Sequence, residues 1–250
     1  MADQVQYDKT AWLKGASFEC KVKPGPQAKP WRFVLLGAPG IGKGTQANLI
    51  SQKLGACQLS TGDVFRAAKS TAECDRTPAI KQALDYMKAG KLVPDETVVD
   101  LVKERTKCLH CDGGFLLDGF PRTVAQAEAL AKILRDEKLS LDAVLSYELP
   151  VEEILDRLGG RRTCEKCKSV FHLKDLPPRV EGVCNHCGGK LYQREDDRPE
   201  AIRVRMETYE RSTAPLINYY EQKGLLVRIQ CGKMPAETFQ RTLQALHLEA

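Results

Sequence analysis

A glycine-rich loop is the first stretch of this 250-residue chain whose residue types and spacing could do chemistry. Four residues separate Gly37 from Gly42, and Lys43 follows at once, which is the spacing of a phosphate-binding loop. Glycines let the backbone turn its N–H groups towards phosphate oxygens, and a lysine adds a full positive charge. The usual Ser or Thr directly after the lysine is replaced by Gly44, and Thr45 comes one position later. We predict that this loop binds a nucleoside triphosphate.

Two Cys-x-x-Cys pairs, Cys164 with Cys167 and Cys184 with Cys187, flank residues 168–183. Each pair forms a tight knuckle that offers two thiolates on one side, and this separation is typical of a tetrahedral zinc site. Four thiolates fill the coordination sphere and leave no place for a reactive water, so we expect a structural metal. Two disulfides, iron in place of zinc and a nucleic-acid-binding zinc ribbon are the alternatives.

A third such pair, Cys108 and Cys111, lies on either side of His110, just before a Gly-Gly turn. Metal or redox chemistry is one interpretation of this pair, and a loop with two free thiols is the one that we favour. The remaining cysteines are scattered, and the ten together fit a reducing compartment better than a secreted disulfide scaffold.

Short apolar runs and helical periodicities alternate along the chain and must position these residues. The glycine loop lies between the first apolar run and a helix that Gly55 ends, and residues 124–137 have a second helical pattern. The runs are typical of strands buried on both faces, and they are residues 32–36, 115–117, 143–149 and 225–229. This order predicts an α/β fold, a parallel sheet with right-handed crossovers and flanking helices.

Two stretches interrupt the alternation. Residues 60–93 hold helical patterns without a strand, and residues 160–197, which carry the four-cysteine cluster, are predicted to form a small separate module. A long helix follows from Pro199, with a break or kink expected at Pro215. Residues 1–30 are interpreted as an extension. The core is then built from residues 31–59, 94–159 and 198–250.

The composition excludes several classes of protein. Apolar residues make up 42% of the chain and charged residues 28%, which is typical of a globular protein. The net charge of +5 fits a site for several phosphates and does not require a nucleic acid or a membrane as partner. No run reaches the roughly 18 apolar residues that a membrane span needs, and the first residues lack the apolar segment of a secretory signal.

Five ordered motifs resemble those of one enzyme family. The loop has the Lys-Gly-Thr form of adenylate kinases, and four further stretches match that family in order, residues 60–63, 90–93, 117–123 and 194–197. From about residue 31 to 245 the chain is similar to adenylate kinases, which are nucleoside monophosphate kinases, in the long form with a four-cysteine zinc lid. The resemblance implies a P-loop NTPase-type sheet, an AMP-binding helical insert at 60–93 and a lid at 160–197.

Adenylate kinases transfer a phosphoryl group from ATP to AMP and form two ADP. Such transfer depends on positioning and on cations that neutralise the moving group, and guanidinium groups bind phosphate oxygens in pairs. The implied catalytic residues are Lys43, Arg122, Arg161, Arg194, Arg205 and Asp118. The implied ATP-binding residues are Gly40, Ile41, Gly42, Lys43, Gly44, Thr45, Arg157, Arg161, Val170 and Phe171. The implied AMP-binding residues are Thr61, Arg66, Lys91, Leu92, Val93, Gly119, Arg122, Gln126, Arg194 and Arg205.

The resemblance also assigns roles within these sets. Arg157 would stack on the adenine of ATP, and Gln126 would recognise the base of AMP with its amide. Asp63 and Asp118 would orient water on Mg²⁺, the ion that accompanies ATP. The acidic pair that follows Arg194, residues 196–197, would link the lid to the core through salt bridges. Both inserts would close over their substrates and exclude water.

Two other functions stay open at this point. A monophosphate kinase with a different acceptor base would share every motif except those that recognise the base. A nucleotide-binding subunit of a larger assembly would use residues 1–30 as a docking segment. We expect a monomer in the cytoplasm, with an organelle matrix as the alternative.

Overall fold

The computed structural model describes residues 12–13, 29–68 and 78–248, and the fold is given for those residues. The strands are β1 (Trp31–Leu36), β2 (Cys57–Ser60), β3 (Gly114–Asp118), β4 (Ala143–Glu148), β5 (Arg161–Cys164), β6 (Val170–His172), β7 (Leu191–Tyr192) and β8 (Leu226–Gln230). The main sheet is parallel in the order β2-β3-β1-β4-β8, and a small antiparallel sheet has the order β6-β5-β7.

Helices flank the main sheet and connect its strands. They are α1 (Lys43–Leu54), α2 (Thr61–Ala68), α3 (Pro78–Lys88), α4 (Asp95–Lys103), α5 (Val124–Asp136), α6 (Val151–Gly160), α7 (Pro199–Thr208), α8 (Pro215–Gln222) and α9 (Pro235–Ala245). Short 3₁₀ turns cover Thr106–His110 and Glu195–Asp197. The predicted fold class, a parallel sheet flanked by helices, is confirmed.

Strand β1 shows why the main sheet is buried on both faces. Its side chains alternate between the faces, as they must in an extended strand. Val34 and Leu36 belong to the hydrophobic cluster on one face, and Phe33 and Leu35 belong to the cluster on the other. All four are at most 3% exposed. Helices on both faces exclude water from the strand, which explains its continuous apolar run.

The four predicted strands are confirmed, with ends that differ by one residue at most positions. The helix predicted at 124–137 is α5, and Gly55 ends α1 in the left-handed conformation, with φ 70°. Pro215 begins α8 after a π-helical turn at Tyr209–Thr213, so the predicted break is also confirmed.

Strand β2 was not predicted from the sequence. It reads Cys57-Gln58-Leu59-Ser60, and all four residues are buried although two are polar. Its partner β3 supplies the parallel pairing, from Cys57 opposite Phe115 to Ser60 opposite Asp118. A short run with polar residues carries no apolar periodicity, so only tertiary pairing identifies it.

The interpretation of Cys108 and Cys111 as two free thiols is wrong. Cys111 forms a disulfide with Cys57, across 54 positions of sequence. The 3₁₀ turn at Thr106–His110 brings Cys111 to the edge of the sheet, beside the first residue of β2. Spacing along the chain did not reveal this pairing because Cys57 comes from a strand that the sequence did not show. No helix among the described residues has the length and apolarity to cross a membrane.

Candidate active site

Three loops meet at the carboxyl edge of the main sheet. The glycine loop follows β1, Thr61 follows β2, and Asp118 ends β3. The parallel register places Asp118 opposite both Leu35 and Ser60, so the three strand ends lie side by side. Ligands of open parallel sheets bind at this edge, where successive loops diverge.

The glycine loop is shaped by backbone that other residues rarely adopt. Gly37 has φ 138° and Gly42 has φ 102°, in the left-handed region. A Cβ atom on Gly37 would lie 2.8 Å from the Tyr147 backbone oxygen, so the close approach to β4 also requires glycine. No side chain caps the amino terminus of α1 at Gly42. Its first N–H groups therefore remain available to an anion held in the loop.

Lys43 lies within this loop. Its ammonium group donates to the Gly37 carbonyl over 2.6 Å and to the Ala38 carbonyl over 2.9 Å. Burial lowers the pKa of Lys43 to about 8, Asp118 opposes this change, and Arg122, Arg205 and Arg161 add to it. Burial is the main cause of this shift, and the three arginines that add to it place further positive charge near Lys43, which a polyanionic ligand would stabilise.

Asp197 ties two of the predicted arginines together. It is fully buried, and its carboxylate accepts from Arg161 at both oxygens, one over 2.7 Å, and from Arg205 over 2.9 Å. Arg205 also lies 3.1 Å from the Asp196 carboxylate. Because Arg161 begins β5 and Arg205 belongs to α7, this network of ion pairs joins the small sheet to the main body. The predicted salt bridges of Asp196 and Asp197 are thus present.

Arg194 and Arg157 are two further arginines predicted to bind nucleotide, and each donates a hydrogen bond within the protein. The Arg194 Nε donates to the Thr163 hydroxyl over 2.9 Å. Burial lowers the pKa of Arg194 to about 10, with contributions from Arg161 and Arg66. Arg157 reaches over the glycine loop and donates to the Gly232 carbonyl over 2.9 Å. Its other terminal nitrogen lies 3.4 Å from the Ile41 carbonyl of the glycine loop.

A small cleft opens among α2, α4 and the residues that follow β3. Arg122 is an exposed residue that lines this cleft, and its Nε donates to the Gly119 carbonyl over 2.9 Å. The Thr61 hydroxyl donates to the same carbonyl over 3.1 Å. The lining residues are Thr61, Gly62, Phe65, Met87, Lys91, Leu92, Val93, Val98, Gly119, Arg122 and Gln126. Seven of the ten residues predicted to bind AMP are in this lining. These seven residues come from separate stretches between positions 61 and 126, and the fold brings them together.

Arg66 and Asp63 lie one helical turn apart at the mouth of this cleft. Their side chains form an ion pair of 2.6 Å, and both are about one-third exposed. Burial would lower the pKa of Arg66, but Asp63 outweighs it and raises the pKa, with Asp196 and Asp118 adding to the effect. The carboxylate of Asp63 therefore faces Arg66. Asp118, by contrast, lies against the loop, since a Cβ on Gly44 would be 3.7 Å from its Oδ2.

Gln126 is almost fully buried, with 1% of its surface exposed. Its Oε1 accepts from the Arg122 backbone N–H over 2.7 Å, and its Nε2 donates to Asp95 over 2.7 Å. Asp95 also accepts from the Thr123 hydroxyl over 2.8 Å. Sequence reasoning missed Asp95. An acidic first turn after Lys-Leu-Val-Pro was visible, but only the structure shows which amide it orients.

The four predicted cysteine ligands converge. The Sγ atoms of Cys164, Cys167, Cys184 and Cys187 all lie within 4.8 Å of one another, and two of the pairs are 3.5 Å apart. Zinc–sulfur bonds of about 2.3 Å in a tetrahedron require sulfurs roughly 3.8 Å apart, so the group fits a metal ion. The backbone of Gly189 passes so close that a Cβ there would lie 2.9 Å from the Cys164 sulfur.

Val170 and Phe171, predicted to contact ATP, lie differently on β6. Val170 is 40% exposed, whereas Phe171 is 3% exposed and packs in one cluster with Cys164, Cys184 and Leu191. The Phe171 side chain therefore belongs to the core of the small sheet. Of the two, only Val170 has an exposed side chain.

Comparison with known proteins agrees with this geometry. The family model described as adenylate kinase matches residues 35–225. The adenylate kinase of Caldicellulosiruptor saccharolyticus is 49% identical over 218 residues, 87% of this chain and 100% of that protein. Those of Streptomyces griseus and Clostridium tetani are 49% and 46% identical, each over 86% of this chain and 97% of the relative.

Proposed function

This chain belongs to the adenylate kinase family, and we propose that it transfers the terminal phosphoryl group of ATP to AMP, with two ADP as products. Membership makes it a nucleoside monophosphate kinase. The choice of AMP, the dependence on Mg²⁺ and the closing of the inserts are parts of the proposal. A single observation carries it, namely that Arg122, which lines the cleft, is close enough to Lys43 of the glycine loop to lower its pKa.

The donor nucleotide would occupy the glycine loop. Its phosphates would accept from the N–H groups at the amino terminus of α1 and from Lys43, which would then exchange its bonds to the loop carbonyls for bonds to phosphate. Arg157 would stack on the adenine. The negative charge of the polyphosphate would offset the burial and the nearby arginines that lower the pKa of Lys43, so the ammonium would be stabilised in the complex.

The acceptor would occupy the cleft. Arg66 and Arg122 would hold its phosphate, and Lys91, Leu92 and Val93 would enclose its ribose and base. Gln126 would recognise adenine, since its amide keeps one N–H and one lone pair beyond those used by Asp95 and Arg122.

Arg161, Arg194 and Arg205 would neutralise the phosphoryl group between the two nucleotides. Asp197 holds Arg161 and Arg205 in a fixed orientation, and fixed cations cost little reorganisation during transfer. ATP arrives as its Mg²⁺ complex, and Asp118, beside Gly44, would accept hydrogen bonds from water on that ion. The ion pair of Asp63 with Arg66 makes Asp118 the stronger candidate of the two carboxylates.

Zinc is the metal that the four thiols fit, and we propose that it folds the small module at 160–197. When bound, zinc supplies structural cross-linking, because four thiolates leave no open position. Phe171 and Leu191 are the main apolar residues in the core of this module, which is too small to fold on hydrophobic burial alone. Closure of this module and of residues 60–93 over the core segments 31–59, 94–159 and 198–250 would exclude water from the transfer.

The test is ADP formation from MgATP with AMP, UMP, CMP and GMP as separate acceptors. We expect a strong preference for AMP. Lys43→Met should abolish transfer, whereas Lys132→Met, at an exposed position of α5, should leave it unchanged. Turnover with another base would keep the fold and overturn the base assignment. Folded, metal-loaded protein without turnover on any acceptor would indicate a binding subunit.

A further inference from the structure

One buried tryptophan lies outside every element assigned so far. Trp12 belongs to the 1–30 extension and precedes the family match, which begins at residue 35. Yet its side chain is 2% exposed and is among the largest fully buried side chains of the described residues. An extension that served only as an address or a docking segment would not place its tryptophan in the core.

The ring of Trp12 lies in the hydrophobic cluster beneath the cleft. Phe65 of α2 and Val98 of α4 belong to this same cluster, and both also line the cleft. Ala83 of α3 and Val102 of α4 complete the link between the helices on that side of the sheet. The indole therefore packs in the layer that supports the acceptor site from below.

Two hydrogen bonds fix Trp12 in this layer. The indole Nε1 donates to the Ser60 carbonyl over 2.9 Å, and Arg105 Nε donates to the Trp12 carbonyl over 2.8 Å. Arg105 is itself largely buried and donates a second bond to the Leu101 carbonyl of α4 over 3.1 Å. The indole N–H and the backbone carbonyl of the buried residue thus both have partners, as buried polar groups require.

The partners of Trp12 lie next to the acceptor site. Ser60 directly precedes Thr61, and the Ser60 hydroxyl accepts from the Asp63 N–H over 3.3 Å at the start of α2. Arg105 follows α4, whose first residue, Asp95, orients Gln126. Trp12 therefore connects the two helices that carry opposite walls of the cleft.

We propose that Trp12 is a positioning residue for the acceptor nucleotide. Trp12 holds α2 and α4 at the separation that AMP requires, through Ser60 on one side and Arg105 on the other. In the described part of the chain the hydrogen bonds of Trp12 go to Ser60 and Arg105, on the cleft side, so we expect the acceptor site to depend on it more strongly than the donor site does. The inference rests on the proposed function in that it takes the cleft to bind the acceptor.

The experiment compares steady-state kinetics of the full-length wild type with Trp12→Phe and Trp12→Ala. Trp12→Phe keeps most of the packing and removes the N–H donor, whereas Trp12→Ala removes both. We expect the KM for AMP to rise about fivefold in Trp12→Phe, the equivalent of one net hydrogen bond, and further in Trp12→Ala. The KM for ATP should stay within about a factor of two, as expected for an uncoupled site.

Trp31→Phe is the matched control. It removes the only other tryptophan, which lies partly exposed at the start of β1, and should leave both KM values unchanged. This variant also leaves Trp12 as the sole tryptophan, so its fluorescence can be followed without catalysis. AMP should change the emission of Trp12 or its quenching by acrylamide, whereas ATP alone should not.

Several results would overturn the proposal. Equal changes in the KM for AMP and for ATP, or a loss of active protein with unchanged KM values, would reduce Trp12 to a contributor to stability. The proposal would also be contradicted if AMP is a good substrate but changes neither the emission of Trp12 nor its quenching by acrylamide. If the wild type prefers another acceptor base, the proposed base assignment fails, and the same KM comparison with that acceptor decides the role of Trp12.

Discussion

The side-chain amide of Gln126 is held by Asp95, whose Oδ1 accepts from Gln126 Nε2 over 2.7 Å. An ionised carboxylate only accepts, and the Arg122 backbone N–H on the other side only donates. The two partners therefore fix which end of the amide is oxygen and which is nitrogen. One amide hydrogen and one lone pair remain beyond these two bonds, and under the proposed function they would meet the ring-nitrogen acceptor and the amino donor at the edge of adenine.

This orientation predicts the effect of Asp95→Ala on base selection. Guanine presents a carbonyl and a ring N–H in place of the adenine groups and would need the amide reversed. Loss of Asp95 removes a hydrogen bond to a charged group, worth about 1.5–3 kcal/mol, and frees the amide to rotate. We expect the ratio of kcat/KM for AMP over GMP to fall about tenfold or more.

Glu96→Ala is the control for that experiment, because Glu96 is the exposed neighbour of Asp95 on α4. It should leave the ratio unchanged. An equal loss of activity with AMP and GMP in Asp95→Ala would mean that Asp95 supports the helix and has no part in base selection.

The second prediction concerns the stability and activity of a variant at Asp197. Its buried carboxylate pairs with two guanidinium groups. Asp197→Asn removes the negative charge and one of the two acceptor oxygens, so both cations lose their ion pair with this side chain. Removal of one partner from a buried ion pair costs about 3–5 kcal/mol, and we expect a loss of that size in the free energy of unfolding, together with a fall in kcat. Urea denaturation and initial rates on the same preparation would measure both.

Asp156→Asn provides the contrast. Asp156 pairs with Lys174 over 2.8 Å, and both side chains are more than half exposed. Water screens an exposed pair and its side chains lose freedom when they meet, so this variant should unfold like the wild type. Comparable losses in the two variants would show that burial does not distinguish the pairs.

The metal-binding group gives the third prediction. Cys187→Ser leaves three thiolates, so we expect loss of about one zinc per chain by atomic spectroscopy and faster proteolysis within residues 160–197. The main sheet should keep its circular dichroism. Cys231→Ser, which lies outside the cluster, should retain the metal. Full zinc content in Cys187→Ser would show that the four thiols do not act as one site.

The sequence predicted what local pattern encodes. The glycine loop, its helix and the four-cysteine group are contiguous motifs, and the apolar strands follow from burial on both faces. The features that it did not show depend on residues distant in the chain. Asp95 acts on Gln126 across 31 positions, and Trp12 acts on Ser60 across 48. Polar groups of this kind are assigned only when the tertiary contact is known, because neither residue type nor spacing identifies the partner.

The lowered pKa of Lys43 gives the last prediction, on stability and pH. Burial, with Arg122, Arg205 and Arg161 nearby, lowers the pKa of Lys43 to about 8 in the folded protein, against 10.5 for the side chain in the unfolded chain. Between these values the unfolded chain keeps a proton that the folded chain has released, so stability gains with rising pH. The free energy of unfolding of the wild type minus that of Lys43→Met should increase between pH 8 and 10.5 by up to about 3 kcal/mol. Saturating ATP should flatten this difference, because the bound phosphates restore the proton to Lys43. A difference that is level across this pH range without nucleotide would show that the ammonium is not destabilised by its surroundings.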